Sequence, residues 1–516
     1  MPKTFKPLLR LAPLLATLLL TLPGAHARDT LDADWGWSAV SEQQARTAQV
    51  RERAQDAVPS WQSRASGGEA QISLHALFSA QAGSWPFEPF VNNGLFRAIA
   101  GYQSSHPRVL SIGKGSITLE RLTQRVNNPE VLKRFRDGYL LSYPLMIEAD
   151  GTLEITDSHL YLFTPSGTAL INQGTLRVRG STVESRNEDH ATTTDRPYRP
   201  FIMAWAGSTT EIQDSTLRRL GYNTHLSRGL SSARSNGQPM QQAPARVLLR
   251  NSKVDELSSI ELQHALVRIE HSQLDNMQQY GIDLSGSRFL LDGNQIRAVR
   301  NQSGIRIRGL SQGLVENNLI LKTGKAGVEI SEQSGDLVVS GNQIGASDTH
   351  GVLIRNVAGG ALLVDANLIA NSGASGVLAE NLQQGYIVGN RIHSSRNYAI
   401  SAANPVEQPG ELVIVGNNLG NVGQSMIRTL GIQALTLGDN EYQLGPLLQS
   451  VLAGDTLPLQ SLLLDATHKR GCIIQVRPAT ASQATFPANS ACPLKRAGSE
   501  PDLSAADAAQ GLRQAL

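Results

Sequence analysis

Between Tyr280 and Tyr398 apolar and polar residues alternate in short runs, Gly304-Ile305-Arg306-Ile307 and Gly327-Val328-Glu329-Ile330 among them. The small residue that opens each run falls at Gly281, Gly304, Gly327, Gly351, Gly376 and then Ala399, in steps of 23, 23, 24, 25 and 23 residues. An asparagine slot keeps pace at Asn294, Asn317, Asn342, Asn367, Asn390, Asn417 and Asn440, each with an apolar or aromatic residue two places on. Self-similarity at such a period marks a repeat architecture. The runs between slots are strand-like, and no helical stretch completes a horseshoe repeat, so the pattern predicts an all-β chain folded as a right-handed parallel β-helix. Alternation turns one side chain inward and the next outward, and coils stacked ~4.8 Å apart satisfy their backbones in parallel ladders. Asparagine suits a coil corner because it tolerates left-handed φ and its amide reaches the corners above and below.

The slot can be followed backwards as serine, at Ser158, Ser181, Ser215, Ser252 and Ser272, in steps that reach Asn294 as 23, 34, 37, 20 and 22 residues. The two long steps place insertions between Glu184 and Pro200 and between Tyr222 and Pro244. Long loops on a rigid scaffold are where ligand contacts concentrate. Counting slots gives about twelve coils, roughly 50 Å of continuous surface at strand spacing. A solenoid needs capped ends, since its first and last coils otherwise show an apolar cross-section and open strand edges to water. Residues 28–107 read as an N-terminal segment and cap: Arg28 to Gly83 is expected to be loosely held, with a helix-compatible stretch at Glu42 to Ala57, and the helical spacing near Leu95 and Ile99 reads as the cap. The β-helix is expected over 108–445, and 446–516 as a C-terminal cap and flexible tail.

Composition narrows the function. Residues 1–27 carry Lys3, Lys6 and Arg10 ahead of an apolar run and end on Ala25-His26-Ala27, which reads as a secretory signal peptide, hence an exported protein without stable membrane insertion. Its removal takes the formal charge from +2 to −1, leaving no global basic field to gather nucleic acid. No metal-ligand spacing, nucleotide-binding glycine loop or Gly-x-Ser-x-Gly elbow occurs, so neither metal nor cofactor is expected. The two cysteines, Cys472 and Cys492, lie beyond the last repeat in a chain read as exported, which points to one disulfide.

One passage is more specific than any repeat: Tyr198-Arg199-Pro200-Phe201, then Trp205-Ala206-Gly207, Ser215-Thr216 and Leu220-Gly221-Tyr222. It resembles the periplasmic mannuronan C5-epimerases of bacterial alginate export, over about two thirds of the chain, from near Arg108 to Tyr442. The resemblance implies a β-helix, export, and an acidic polysaccharide substrate whose mannuronate residues are inverted at C5. It fails where that family keeps its chemistry. There a Tyr-Gly-Ile-Asp run continues as Pro-His-Asp, with the histidine as base; here Tyr280-Gly281-Ile282-Asp283 continues as Leu284-Ser285-Gly286. The next coil's Lys-His-Gly is Gln302-Ser303-Gly304, tyrosines of the preceding coil are Glu261 and Gln263, and the arginine thought to neutralise the substrate carboxylate falls one position from Arg308.

Inversion at C5 requires a neutralised carboxylate, a base on one face and a proton donor on the other. With Ile260, Ile282, Ile305, Val328, Val352 and Val377 inward, the outward neighbours form a column Glu261, Asp283, Arg306, Glu329, Leu353, Leu378, and a second column Gln263, Ser285, Arg308, Ser331, Arg355, Glu380. The candidate catalytic set is Asp283, Arg308, Arg306 and Tyr280; the candidate substrate contacts are Glu261, His264, Ser285, Glu329, Arg355 and Tyr222, with His350 flanking. Replacing Arg306 and Arg308 together by Ala removes two cations and no core atoms, so it is expected to cost ~0.5 kcal/mol or less. Two functions fit: a polysaccharide-modifying enzyme with a reassigned catalytic set (epimerase, lyase or hydrolase), or a non-catalytic relative that binds or shields an acidic exopolysaccharide, either one alongside export-complex proteins.

The cysteine reading carries its own test. Alkylation of the non-reduced protein followed by mass spectrometry is expected to find no free thiol, with the Cys472–Cys492 bridge contributing about 3 kcal/mol on the loop-entropy model; two alkylated cysteines refute it.

Overall fold

The computed structural model describes residues 36–38, 40–62, 67–77, 95–103, 106–187, 198–222, 227–234, 242–404, 410–432, 434–444, 450–457, 460 and 473–476. The expected signal peptide, both cysteines and the middle of each insertion lie outside them. The chain winds as a right-handed parallel β-helix of about twelve turns. Each turn contributes one strand to each of three sheets, numbered in their order along a coil: the coil that begins at Ile282 places Ile282–Ser285 in sheet 1, Arg288–Asp292 in sheet 2 and Gln295–Val299 in sheet 3. Sheet 1 stacks in parallel from Arg108–Gly113 to Ser450–Gly454, somewhat past the expected limit of 445.

Inward residues form one apolar column after another. The ladder Ile260, Ile282, Ile305, Val328, Val352, Val377 runs in register and is fully buried. The glycine slot exists for space, not for φ. A Cβ at Gly351 would lie 2.2 Å from Ile369 Cγ2 and one at Gly376 2.2 Å from Ile392 Cγ2, so the isoleucines of sheet 3 occupy the volume that glycine leaves empty.

The corner between sheets 2 and 3 is held by side chains that bond along the stack. Ser158, Ser181, Ser215 and Ser252 each donate a backbone N–H to the next serine's Oγ, and Ser272 passes the chain to Asn294 Oδ1. From there each asparagine Oδ1 accepts from the backbone N–H and the Nδ2 of the asparagine one coil back, and each Nδ2 also donates to a backbone carbonyl, as Asn367 does to Val339. The rung between Asn294 and Asn342 is Asn318, not Asn317. Asn317 instead takes the preceding position, which is left-handed in every coil of the ladder: Gly293, Asn317, Gly341, Ala366, Gly389, Gly416 and Asp439 all have φ between 50° and 67°. The tolerance for left-handed φ therefore belongs to the residue before the ladder, and the inward apolar residue after it is Ile320, not Leu319.

Where it is described, the helix of the N-terminal segment is not loosely held. Helix α1 (Val40–Asp56) lies on the outer face of sheet 2, where Val50 and Ala54 pack on Leu314, Val338, Leu363, Tyr386 and Val413. Arg46 bonds Glu411 at 2.6 Å, Arg51 reaches Asp365 at 2.8 Å as well as Glu316, and Arg53 pairs with Asp336 at 2.9 Å. Sequence alone could not place it, because its mostly polar residues find their partners up to 365 positions away. Helix α2 (Leu95–Gln103), expected to cap the core, instead covers an apolar patch on the outside of sheet 1, its Ile99 packing with Ile171, Phe201, Met203 and Trp205. The cap over the N-terminal coil is helix α3 (Leu119–Val126). Thr118 caps it by accepting from the Arg121 N–H, and its one apolar face buries Leu119 and Leu122. Strand edges are closed by antiparallel pairing, with Gln71–Ala76 on sheet 1 and Ile473–Val476 on sheet 2. Among the described residues no helix is long and apolar enough to cross a membrane.

The ladder assignment is testable by substitution. Asn367→Leu removes the acceptor of the Asn342 N–H and the donor to Val339, and is expected to destabilise by about 2–5 kcal/mol. Asn317→Gly, which loses one exposed bond to Asp292, is expected to change stability by about 0.5 kcal/mol or less. Thermal melting of the two variants reads the difference, and equal effects would contradict the register.

Candidate functional site

Both outward columns of sheet 1 stand as read from the sequence, residue for residue, since Glu261, Asp283, Arg306 and Glu329 pair in register, as do Gln263, Ser285, Arg308 and Ser331. The face they form is divided. Its N-terminal part is apolar and lies under α2; from Glu261 onward it is charged. A bulge follows Arg308, where Gly309 pairs with Gln333 and Glu332 is the extra residue, with φ 51°. Bulges re-aim side chains and recur beside functional surfaces.

Asp283, Arg306, Arg308 and Tyr280 come together. Asp283 is 1% exposed although it points away from the core. Arg306 grips it with both arms, Nε to Oδ1 at 2.9 Å and Nη2 to Oδ2, while Nη1 donates to the Tyr280 hydroxyl at 2.7 Å and the guanidinium lies 3.9 Å from the Tyr280 ring centre. Arg308 Nε approaches the same Asp283 Oδ1 at 3.5 Å. Burial by itself would depress the Arg306 guanidinium, but the bonds and attraction to Asp283 outweigh it and lift the group above its ordinary value. Burial raises the Tyr280 hydroxyl, so it remains protonated at neutral pH.

The other carboxylates of the column are also matched. Glu329 accepts from Ser303 Oγ at 2.5 Å and from Lys325 Nζ at 2.6 Å. Glu261 accepts from Gln263 Nε2 at 3.0 Å and faces Arg228 Nε at 3.2 Å. Arg228, Ser303 and Lys325 were not among the expected site residues. They stand on the corner ahead of sheet 1, where no alternation marks them, and their only sequence signal is that they precede the glycine slot by one or two places. Arg355 pairs with Glu380 at 2.8 Å in the open. Tyr222 stands two coils before Tyr280 and packs on Tyr198, ring centres 6.0 Å apart. His350 is held lower than an ordinary imidazole by burial, and its Nδ1 accepts from the Ser375 N–H at 3.2 Å.

His264 stands apart from this cluster, at the corner between sheets 1 and 2. A cleft of about 460 Å³ opens there, lined by Arg234, Gln263, His264, Gly286, Arg288 and Leu310 among others. Among the described residues no group of three or more His, Cys, Asp or Glu side chains is placed to hold a metal ion.

Comparison with known proteins agrees with this architecture. The family model for the right-handed β-helix region matches residues 240–381. The mannuronan C5-epimerase of Pseudomonas aeruginosa is 25% identical over 293 residues, covering 49% of this chain and 54% of the relative. That of Pseudomonas putida is 25% identical over 307 residues, covering 55% and 57%. The chain thus spans just over half the length of these curated relatives. The crystal structure of the periplasmic alginate epimerase AlgG superposes with a TM-score of 0.62 at 18% identity, over 74% of this chain and 95% of that one, a likeness of fold. Over about half its length the chain is similar to the mannuronan C5-epimerases.

Burial overturns the expectation that both arginines can be removed cheaply. Arg306→Ala strands a buried carboxylate and is expected to destabilise by about 3–5 kcal/mol, whereas Arg308→Ala, one-third exposed with a single 3.5 Å approach, is expected to cost about 1 kcal/mol or less. Melting temperatures check this, and a silent Arg306→Ala would show that the pair is not formed.

Proposed function

We propose that this protein binds an acidic polysaccharide along the outward face of sheet 1 and does not epimerise it by the route of its relatives. The observation that carries this reading is the state of Asp283 and its neighbour. The resemblance puts a histidine base where Ser285 stands, and a serine hydroxyl does not take a proton from carbon without a base of its own. The carboxylate beside it, Asp283, has both oxygens occupied by Arg306 and is sealed from solvent. Glu261 and Glu329 are likewise engaged. Three carboxylates of one column are therefore spent on holding cations in place.

Held cations are what a polyanion-binding face requires. Arg308 and Arg355 stand two coils apart in one column, about 10 Å at strand spacing, with the Arg306 and Tyr280 pair beside them as a flat platform for a sugar ring. The face continues past several coils, so a polymer lies along it rather than ending in it. Periplasmic residence, the signal peptide and a role beside export proteins belong to this reading; they rest on the sequence of residues 1–27 and on the relatives' names.

Polymannuronate incubated with the purified protein in deuterated water is expected to show no guluronate and no deuterium at C5 by proton NMR. Affinity electrophoresis is expected to show retardation by acidic but not neutral polysaccharides, weakened at least ~tenfold in Arg308→Ala. Guluronate formed at an enzymatic rate overturns the absence of catalysis, and equal mobility in all polymers overturns binding.

A further inference from the structure

One arrangement on the sheet 1 face occurs twice. The run Tyr280-Gly281-Ile282-Asp283 is matched by Tyr398-Ala399-Ile400-Ser401: an aromatic residue ahead of the small slot, then an inward isoleucine and an outward polar residue. Parallel pairing carries the outward column without a break from Asp283 through Arg306, Glu329, Leu353 and Leu378 to Ser401 and Arg428. Each tyrosine therefore has an arginine one coil on, at the same place relative to it: Arg306 for Tyr280 and Arg428 for Tyr398. Arg428 lies 5.5 Å from the Tyr398 ring centre, within cation–π range, as Arg306 does at 3.9 Å from that of Tyr280. The two pairs are five coils apart along this ladder, about 24 Å at strand spacing.

The pairs differ in the residue that holds the cation. In the first, Asp283 takes both arms of Arg306 and cancels its charge. In the second, Ser401 occupies that place, 2% exposed, and its hydroxyl accepts from Arg428 Nη1 at 3.3 Å. A hydroxyl orients a guanidinium without neutralising it. The other arginines of the two columns are all matched by carboxylates, Arg306 and Arg308 by Asp283 and Arg355 by Glu380. Among the described residues Arg428 has no such partner, only the Ser401 hydroxyl and the Tyr398 ring. Its neighbour one coil further on is Ala453, which brings neither charge nor bulk over it. Most of a planar donor fork is thus left for a carboxylate, which it suits bidentately, with a half-buried tyrosine beside it for the apolar side of a sugar ring.

We propose that Tyr398, Ser401 and Arg428 form a second station for a uronate residue, and that one acidic chain spans from it to the group around Tyr280. The station rests on the reading of the protein as an acidic-polysaccharide binder and states where along the face the polymer is anchored. Between the two ends the first column carries Leu353 and Leu378, and in the second Arg355 is balanced by Glu380. The middle of the chain therefore crosses a stretch without surplus charge, and its carboxylates are drawn to the ends. Affinity then depends on length. A chain that reaches both stations binds the second at the high effective concentration set by the first, and a shorter one does not.

The test is titration calorimetry on the full chain, with a mannuronate trimer too short to span the stations, a mannuronate decamer long enough to do so, and a neutral α-linked glucose decamer as control. Arg428→Gln removes the charge and keeps a donor for Ser401. It is expected to weaken the acidic decamer at least ~tenfold and to remove most of its advantage over the trimer, at unchanged melting temperature. Ser401→Asp rebuilds at this coil the pairing of Asp283 with Arg306 and is expected to weaken the decamer in the same way, with no loss of stability. The neutral decamer is expected to bind neither the parent nor the variants. If the parent and both variants bind the acidic decamer equally while Arg308→Ala weakens it, the second station is absent although polymer binding stands. If trimer and decamer lose affinity alike in Arg428→Gln, no chain spans the two stations. If the parent binds no acidic oligomer at all, both readings fall.

Discussion

An asparagine that accepts from one coil and donates toward another can occupy only one register, and the stack depends on that constraint. A one-residue slip in any coil breaks the amide chain and turns the inward isoleucines to solvent. The serine rungs from Ser158 to Ser272 do the same work with one oxygen, accepting one N–H where asparagine accepts two donors and gives two in return. The regular part of the molecule, where coil steps stay between 23 and 27 residues, is where asparagine stands; the part that carries the two insertions is where serine stands. With the register fixed at that corner, the opposite sheet can hold charges in columns whose order follows from the sequence.

Those columns explain how the protein departs from its relatives without losing its surface. Asp283 keeps its place but not its freedom: gripped by both arms of Arg306, whose guanidinium also lies against the Tyr280 ring, the carboxylate acts as a fixed strut. A buried pair of this kind is costly to break and modest in what it adds, so its value lies in orientation. The bulge after Arg308 lies at the edge of the same surface, beside a cleft that Gly286 helps to line.

Much of this was legible beforehand, and the limits are instructive. Alternation gives the inward ladder from Ile260 to Val377 and the two outward columns beside it correctly, because strand period is a property of the backbone. The slot reading erred at Asn317 and Asn318, where two adjacent asparagines both fit a spacing rule; the distinguishing signal was the glycine that precedes most of the others. The partners of the columns, Arg228, Ser303 and Lys325, come from a corner with no period to read. Helix α1 was read as a helix but not as bound, and α2 as a cap rather than a cover, since amphipathic spacing states that a face is buried without stating against what. His264 can be singled out from the sequence as a flank of the column, but the cleft it lines is built from residues with no period to read.

The course of the chain from Arg46 to Trp61 has a further consequence. It contacts Glu411, then Asp365 and Asp336, then Arg268, Arg246 and Glu211, running backwards down the length of sheet 2. A solenoid held only by neighbour-to-neighbour contacts unravels from its ends a coil at a time. Here one tether touches coils from both halves, so losing an end coil also loosens the tether from the middle, and fraying is coupled to melting of the whole. This stretch is synthesised long before its seat, because the surface it needs is complete only when the chain has been made as far as Glu411.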